Sequence, residues 1–237
     1  MIVSTHQPFF APYPGFFVKA QRSDVLVILD EVQFPRKTTW ITRNRFKNDQ
    51  GTLWMTVPVH RKGRGLQKIS EVRICREGNW SRKHLAGFRH AYAHAPFFPD
   101  HLGFLEGVLS MDRRRIVDIN MAIIRYVAEL LEIETRIVLM SELPVSGKGI
   151  QLVLDICKAV GGTQYLVSRS AEKHYHESRF RSQGIRRISF RDPDLVYPQL
   201  WGDFIPRLST LDLLFNCGPK SREILFSQYR SGATSRE

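Results

Sequence analysis

Two short apolar segments in the first third of the chain each end in polar side chains that suit proton transfer. His6 and Gln7 come directly after the first segment, and Asp30 and Gln33 follow the second. A histidine near a carboxylate can carry a proton, and an amide can orient a polar substrate. We therefore predict that His6, Asp30 and Gln33 form the catalytic centre of a small-molecule site, with Gln7 among its substrate-binding residues.

A basic segment shortly afterwards could hold the anionic part of such a molecule. Arg43 and Arg45 flank Asn44, and guanidinium groups bind phosphate and carboxylate through paired hydrogen bonds. In this scheme His6 carries a proton or contacts a phosphate. Asp30 orients the His6 ring or takes a proton from an incoming amine or hydroxyl. The sequence contains no serine elbow, catalytic-cysteine motif or metal-ligand motif, so we expect direct transfer from an activated donor and no protein metal site.

Each of these residues also has an ordinary structural explanation. His6 could be a capped loop residue, Asp30 a helix N-cap, and Arg43 one half of a surface ion pair. Their joint position favours the functional interpretation, because the carboxyl ends of parallel strands meet at one edge of a sheet, where ligands bind.

The apolar pattern predicts an α/β fold with a mostly parallel, Rossmann-like or HUP-like sheet flanked by helices. Residues 1–5 and 24–30 read as strands on either side of a helix at 15–22. The second run is apolar throughout, as expected of a strand buried on both faces. Further strands are predicted at 136–140, 164–168 and 185–190.

An antiparallel insertion around residues 50–76 interrupts this alternation. Residues 52–59 and 69–75 alternate enough to be paired strands, joined by the basic loop 60–68. Later in the chain, Gly161-Gly162 is expected to end a helix with a left-handed cap.

The length and the termini indicate one domain. We expect residues 1–230 to fold as a single unit and residues 231–237 to form a frayed polar tail. The chain has no apolar run long enough to span a membrane, and its first residues do not have the pattern of a signal peptide. Three widely spaced cysteines favour reduced thiols, so a cytoplasmic location is expected.

The net charge of +12 suggests a phosphate-rich partner. Residues 51–100 hold nine Lys and Arg against three Asp and Glu, whereas residues 101–150 hold six against seven. The surplus is concentrated in the basic segments 60–68 and 181–191, which could bind tRNA or another phosphate-bearing molecule. The alternative is an ordinary basic surface, since no RNA-binding or helix-turn-helix signature accompanies the charge.

Several motifs, in this order, resemble those of the WbqC-like proteins. The first are His6-Gln7-Pro8, Tyr13-x-Gly15-Phe16, Asp30-x-x-Gln33 and Arg43-Asn44-Arg45. The later ones are Trp54 with Val57-Pro58-Val59, Trp80 with Lys83-His84, Tyr92 with Ala95-Pro96-Phe97-Phe98, and Ser209-x-x-Asp212-Leu213-Leu214-Phe215-Asn216-x-Gly218. The resemblance extends over residues 2–219, nearly the whole chain.

The resemblance implies a biosynthetic role without naming a reaction. Similar proteins are bacterial and are associated with the biosynthesis of O-antigen, which is part of lipopolysaccharide, and of other surface polysaccharides. Tyr13 belongs to the shared motifs, and Tyr175 stands where the family has a tyrosine after a glycine turn, so both are expected to contact substrate. The chain departs from the family pattern at residues 168–171, which read Ser-Arg-Ser-Ala in place of that turn.

Polar residues nearer the C-terminus complete the predicted substrate site. Tyr197 and Gln199 follow the last predicted strand, as does Asp192, and parallel pairing would place them at the ligand-binding edge. Asp212 and Asn216 are four residues apart and therefore share one face of a helix.

The stretch from Val3 to Phe34 is also similar in layout to HIGH-type nucleotidyltransferases. Both have a strand, a histidine-containing loop, a glycine that opens a helix, and a second buried strand. In those enzymes the loop and the helix N-terminus hold the phosphates of ATP, which makes ATP with Mg a candidate cosubstrate. The second histidine of that motif is missing here, because Gly15 is followed by Phe16.

Three functions fit these features. The first is a transferase or ligase that modifies an amine- or hydroxyl-bearing sugar or metabolite, using a nucleotide-linked or acyl donor. The second is an aminoacyl-tRNA-dependent acyl transferase whose basic segments bind the tRNA. The third is a non-catalytic module that binds a sugar nucleotide or RNA.

Overall fold

The computed structural model describes residues 1–110 and 114–230. The strands are β1 (Ile2–His6), β2 (Val25–Ile28), β3 (Arg43–Asn48), β4 (Gly51–Thr56), β5 (Arg136–Leu139), β6 (Gln164–Ser168) and β7 (Arg186–Phe190). The helices are α1 (Pro14–Gln21), α2 (Trp80–Tyr92), α3 (Phe98–Ser110), α4 (Ile116–Leu130), α5 (Gly149–Ala159), α6 (Glu177–Arg181), α7 (Thr210–Cys217) and α8 (Ser221–Arg230). The tail predicted at 231–237 lies outside the described residues. None of the described helices is long and apolar enough to cross a membrane.

The main sheet is a five-stranded parallel sheet with the order β5-β2-β1-β6-β7. From β1 the chain first builds outward to β2 and β5, and then returns to the other side of β1 to add β6 and β7. The direction of winding therefore reverses between β1 and β6. In open parallel sheets the crevice at the carboxyl ends of such a strand pair is the usual ligand site. The prediction of a mostly parallel α/β sheet is confirmed.

Alternate residues of the central strands pack on opposite faces of the sheet. Leu26 and Ile28 belong to the larger apolar cluster with α1 and α4, whereas Val25 and Val27 belong to the smaller cluster with α5. This explains why the second segment of the sequence is apolar throughout.

The left-handed turn predicted after α5 is present. Gly161 has a φ of 74°, and the Gly162 amide donates a hydrogen bond to the Cys157 carbonyl. A Cβ on Gly162 would lie 2.4 Å from Cγ2 of Val3, so the close approach of this turn to β1 requires glycine.

The antiparallel insertion pairs different residues from those predicted. β3 and β4 form a separate two-stranded sheet, in which Asn48 pairs with Gly51 across a tight turn. Residues 69–75 do not form the predicted strand: they begin with a 3₁₀ turn and meet 52–59 only at the isolated bridge between Val59 and Ile74. The local hairpin prevails because closing a two-residue turn costs less chain entropy than closing a long basic loop.

Candidate functional site

A cavity of about 470 Å³ opens where the carboxyl ends of β1, β6 and β7 meet. It therefore occupies the position that the reversal of strand order predicts for a ligand. Its charged and hydroxyl-bearing lining residues include His6, Lys19, Arg45, Ser168, Asp192 and Arg207.

His6 ends β1 and presents a neutral imidazole to this cavity. Its Nδ1 lies 2.7 Å from the Gln7 carbonyl oxygen, and since a carbonyl only accepts, Nδ1 carries the proton and Nε2 is left as an acceptor. The rings of Phe9 and Phe16 pack edge-on against it, with centroids at 4.5 and 4.7 Å. Burial, reinforced by the nearby charge of Lys19, lowers the pKa of His6 to about 3. The ring is therefore uncharged at neutral pH.

Lys19 is a cavity residue that the sequence interpretation missed. It lies on α1, and its ammonium group donates a hydrogen bond of 2.6 Å to the carbonyl of Thr5 on β1. Burial lowers the pKa of Lys19 to about 8, and attraction to Asp192 partly opposes that shift. The signal available in the sequence was a single lysine in a helix that is apolar up to its last residue, directly after the histidine loop.

Asp192 supplies a carboxylate between β7 and α1. Its oxygens accept long hydrogen bonds from Tyr13 Oη at 3.5 Å and from Ser168 Oγ at 3.3 Å. A Cβ on Gly15 would come within 2.6 Å of Asp192 Oδ1, so glycine in the first turn of α1 allows this carboxylate to approach. Ser170, from the segment that departs from the family pattern, joins Ser168 by a hydrogen bond of 2.9 Å and also lines the cavity.

Arg45 and Arg207 make the cavity cationic. Arg45 Nη2 donates hydrogen bonds to the carbonyls of Pro206 and Arg207 at 3.2 and 3.0 Å. Its Nε is buried and has no hydrogen-bond partner within the described part of the chain. With Lys19, these arginines place three basic side chains opposite Asp192 among the lining residues. Such an excess of positive charge favours an anionic ligand.

Asn44 lines the same cavity, but its polar atoms are engaged by the fold. Its Nδ2 donates to the carbonyls of Phe10 and Ala11 at 3.0 and 2.6 Å, and its Oδ1 accepts from the Arg45 amide at 2.7 Å. Asn44 is 1% exposed and fixes the loop in which Ala11 has a φ of 44°. Its place in the structure is that of a scaffold for the cavity wall.

Asp30 and Gln33 do not join the His6 cavity. Asp30 is 2% exposed, and its two oxygens accept hydrogen bonds from the amide and the hydroxyl of Ser141 at 3.0 and 2.7 Å. Gln33 is exposed and forms a backbone bridge with Lys68. Asp30 therefore ties the end of β2 to the segment after β5.

Arg43, Gln7 and Tyr175 also lie outside the lining of the cavity. The Arg43 guanidinium lies 4.0 Å from the centroid of the Trp54 ring. Gln7 contributes its carbonyl, which accepts from His6 and from the Phe9 amide. Tyr175 packs at 5.5 Å from Tyr165, within the apolar cluster around α5.

The remaining predicted residues form a buried polar network beside the cavity. Asp212 is fully buried and accepts hydrogen bonds from the hydroxyls of Tyr92 and Tyr197 at 2.7 and 2.8 Å. Burial raises the pKa of Asp212 to about 6, although both tyrosines stabilise its charged form. Asn216 donates to the Asp212 carbonyl at 2.7 Å, and Gln199 accepts from the buried ammonium of Lys47 at 3.3 Å. This network links α7 and the loop at Gln199 to β3, because Tyr92 also accepts a hydrogen bond of 3.1 Å from the Lys47 amide.

The two basic segments have different surroundings. Residues 60–68 contribute Arg64 to an open groove of about 780 Å³ that also includes Arg73, Arg114 and Arg115. Two acids, Glu71 and Asp118, line it as well, and Asp118 forms an ion pair with Arg115 at 2.8 Å. In the segment 181–191 three of the four arginines form ion pairs with acids: Arg181 with Glu177, Arg187 with Glu172, and Arg191 with Asp194. With four arginines against two acids, the groove keeps a positive excess and is the stronger candidate for a phosphate-rich partner.

Comparison with known proteins identifies the family. A sequence model of the WbqC-like protein family matches residues 7–224. The chain is also 30% identical over 227 residues to the uncharacterized protein Rv1507c of Mycobacterium tuberculosis, covering 94% of this chain and 96% of that protein. The comparison with solved structures finds no match. The match to the family model and the similarity along nearly the whole chain show that this chain belongs to the WbqC-like protein family.

Proposed function

We propose that this WbqC-like protein is a transferase or ligase of biosynthesis that joins an activated, anionic donor to an amine- or hydroxyl-bearing sugar or metabolite. The observation that carries the proposal is the cavity at the β1–β6 junction, where neutral His6 lies among three basic side chains. Nucleotide-linked donors and acyl phosphates both carry the phosphate groups that such a site favours. The association of similar proteins with surface-polysaccharide biosynthesis agrees with a sugar acceptor, O-antigen being one candidate product.

In the proposed reaction His6 accepts the proton of the acceptor. The acceptor nitrogen or oxygen forms a bond to the electrophilic carbon or phosphorus of the donor, and its proton passes to His6 Nε2. The bond between that electrophile and the leaving phosphate breaks, and the electron pair departs with the phosphate towards Arg45 and Arg207. A bound anion raises the pKa of His6, because it stabilises the imidazolium, and so makes the ring a better base within the complex.

Two variants separate binding from transfer. Ligand at roughly 100 times its dissociation constant should raise the free energy of unfolding of wild type by about 2.7 kcal/mol. Arg207→Gln removes a cation from the cavity, so it should reduce this stabilisation and the accompanying rise in melting temperature. His6→Asn retains a donor for the Gln7 carbonyl and removes the Nε2 acceptor, so it should preserve binding and abolish transfer. Arg82→Gln, on the exposed face of α2, is the matched control. Melting curves with ATP and Mg and with sugar nucleotides measure binding, and product analysis then measures transfer. Unchanged binding and transfer in both variants would exclude this cavity as the active site.

A second candidate is transfer from an aminoacyl-tRNA. The arginine groove favours it, because Arg64, Arg73 and Arg114 are exposed and line one open surface. In this version the tRNA backbone lies along the groove, and the aminoacyl group is the donor. The three cysteines are free, and Cys157 and Cys217 are buried. Free thiols support a location in a reducing cytoplasm under either proposal.

A further inference from the structure

An aromatic platform formed by Trp40 and Trp54 adjoins the cavity through Trp40 and takes no part in the proposed transfer step. Trp40 and Trp54 are each 42% exposed, and they are the large aromatic side chains most accessible among the described residues. Their ring centroids are 5.6 Å apart with an interplanar angle of 33°. Trp40 also lines the cavity itself, so the platform is continuous with the cationic site.

The backbone that carries these rings is held in position although the rings are exposed. The Trp40 carbonyl accepts a hydrogen bond of 2.8 Å from the Phe10 amide, and its neighbours Thr39 and Ile41 are buried. Trp54 lies on β4 directly opposite Arg45 on β3, so both project from the same face of the hairpin. Two adjacent aromatic rings on a fixed backbone form a contiguous apolar patch, and such patches are typical of surfaces that contact another molecule.

Cations accompany both rings. The Arg43 guanidinium lies 4.0 Å from the centroid of the Trp54 ring, and that of Arg45 lies 5.9 Å from the centroid of Trp40. Arg45 thus contacts the aromatic platform and the cationic cavity together. A ligand with a flat ring on Trp40 would have its phosphates beside Arg45 and Arg207.

We propose that the platform of Trp40 and Trp54 stacks the nucleobase of a nucleoside diphosphate, which makes the donor of the transferase nucleotide-linked. This inference rests on the proposed function, because the phosphates occupy the cationic cavity described there. Aromatic side chains stack on any nucleobase through its π-face, and neighbouring arginines complement the phosphates. The platform therefore assigns the class of donor and leaves the identity of the base open.

Calorimetric titration of the full chain tests the platform with probes that separate base from phosphate. The probes are UDP and ADP, inorganic pyrophosphate as the same anion without a base, and the monophosphate pair UMP and glucose 1-phosphate. The variants are Trp40→Leu and Trp54→Leu, with Trp80→Phe on α2 as the control. Because Trp40 and Trp54 are well exposed, their replacement should leave the fold intact, which melting without ligand confirms.

We expect UDP or ADP to bind more tightly than pyrophosphate, by roughly five- to hundredfold for one stacked base. Trp40→Leu should remove that advantage and leave pyrophosphate affinity unchanged, Trp54→Leu should reduce it, and Trp80→Phe should have no effect. Equal affinity of wild type for nucleotide and pyrophosphate would overturn the platform, as would equal weakening of both by Trp40→Leu. Tighter, Trp40-dependent binding of glucose 1-phosphate than of UMP would assign the platform to a sugar and overturn it as well.

The same titrations distinguish failure of the platform from failure of the proposed function. Pyrophosphate binding that Arg207→Gln weakens would support the cationic cavity whatever the tryptophan variants show. If wild type binds neither pyrophosphate nor any nucleotide, the cationic cavity fails and the platform proposal fails with it.

Discussion

Lys19 is the residue whose titration should be visible in ligand binding. Its pKa of about 8 places the loss of its charge just above neutral pH, while His6, with a pKa of about 3, stays neutral throughout. If only the charged form of Lys19 supports anion binding, nucleoside diphosphate affinity should fall about eightfold between pH 7.5 and 9.0.

A calorimetric pH series on wild type and Lys19→Met measures this effect. The variant should bind more weakly at pH 7.5 and show a nearly flat profile, because the titrating group is gone. A flat profile in wild type would mean that Lys19 keeps its charge or does not contact the anion.

Asp30, unlike Lys19, is expected to affect stability and not ligand binding. Its carboxylate is satisfied by Ser141 and lies away from His6, so Asp30→Asn should lower the free energy of unfolding by about 1–3 kcal/mol. The affinity for pyrophosphate should stay within about a factor of two of wild type, because a substitution far from the cavity is expected to act independently of it. Denaturant unfolding and calorimetry measure the two quantities; lost affinity with unchanged stability would restore Asp30 to the active site.

The sequence predicts the position of His6 but not the complete set of its neighbours. His6 ends an apolar strand, and strand ends are readable from local pattern. Lys19 and Arg207 reach the cavity through packing and through a loop far along the chain, which no local pattern reveals. The alternation of β3 also gives its residues different roles, since Asn44 faces the interior and binds the loop at Phe10 and Ala11, whereas Arg45 on the other face keeps its guanidinium at the cavity.

Among the elements, the first turn of α1 and the turn after α5 each contain a glycine in close contact with its neighbours, and the two should respond differently to substitution. In Gly15→Ala the new methyl group would meet the side chains of Tyr13 and Asp192, both of which line the cavity. These side chains can move, and alanine is favoured over glycine within a helix by about 1 kcal/mol. The variant should therefore be nearly as stable as wild type, but its displaced side chains should narrow the cavity and weaken pyrophosphate binding at least about fivefold.

Gly162→Ala is the matched control for that substitution. Here the methyl group would meet buried Val3 at 2.4 Å and the Cys157 carbonyl at 3.2 Å, neither of which can easily yield. Overpacking should lower the free energy of unfolding by about 1–3 kcal/mol and leave binding unchanged. Comparing melting and calorimetry for the two variants checks this; a stability loss as large in Gly15→Ala would show that Tyr13 and Asp192 are rigid.

Element types were easier to predict than strand pairing. The strand β2 is a continuous apolar run, and the alternation of strands with helices predicts a parallel sheet, but it does not give the order of the strands. The pairing of β3 with β4 escaped prediction because β3 reads Arg-Asn-Arg-Phe-Lys-Asn, which has polar residues at most positions and a buried lysine, Lys47. Lys47 is satisfied by the carbonyl of Asp203, a contact that only the tertiary fold creates.

For the molecule as a whole, the Asp212 network links stability to pH. The folded pKa of Asp212, about 6, lies above its ordinary value of 3.8, so the folded state binds the proton more tightly. Its contribution to stability is therefore fully present below pH 3.8 and is lost as the pH rises through 6. The shift corresponds to a contribution on the order of 3 kcal/mol.

Asp212→Asn removes this titration, so the difference in unfolding free energy between wild type and variant should change across that interval. Wild type should gain stability relative to the variant as the pH falls from 7 to 4, whatever the other carboxylates do to both proteins. Urea unfolding at four pH values measures the difference. A difference that stays constant would show that Asp212 keeps an ordinary pKa.

The net charge of +12 leads to a prediction about the arginine groove and its salt dependence. Each phosphate neutralised on a nucleic acid lowers the logarithm of the binding constant by about 0.7 per decade of salt for single strands, and by about 0.9 for duplexes, because counterions are released. If Arg64, Arg73 and Arg114 each contact a phosphate, a plot of log binding constant against log salt concentration for tRNA should have a slope of about −2 or steeper. Arg73→Gln should make that slope shallower by about 0.7. Arg82→Gln, outside the groove, should leave the slope unchanged. Equal loss in both variants would mean that tRNA senses only the overall charge, and the arginine groove would then be an ordinary basic surface.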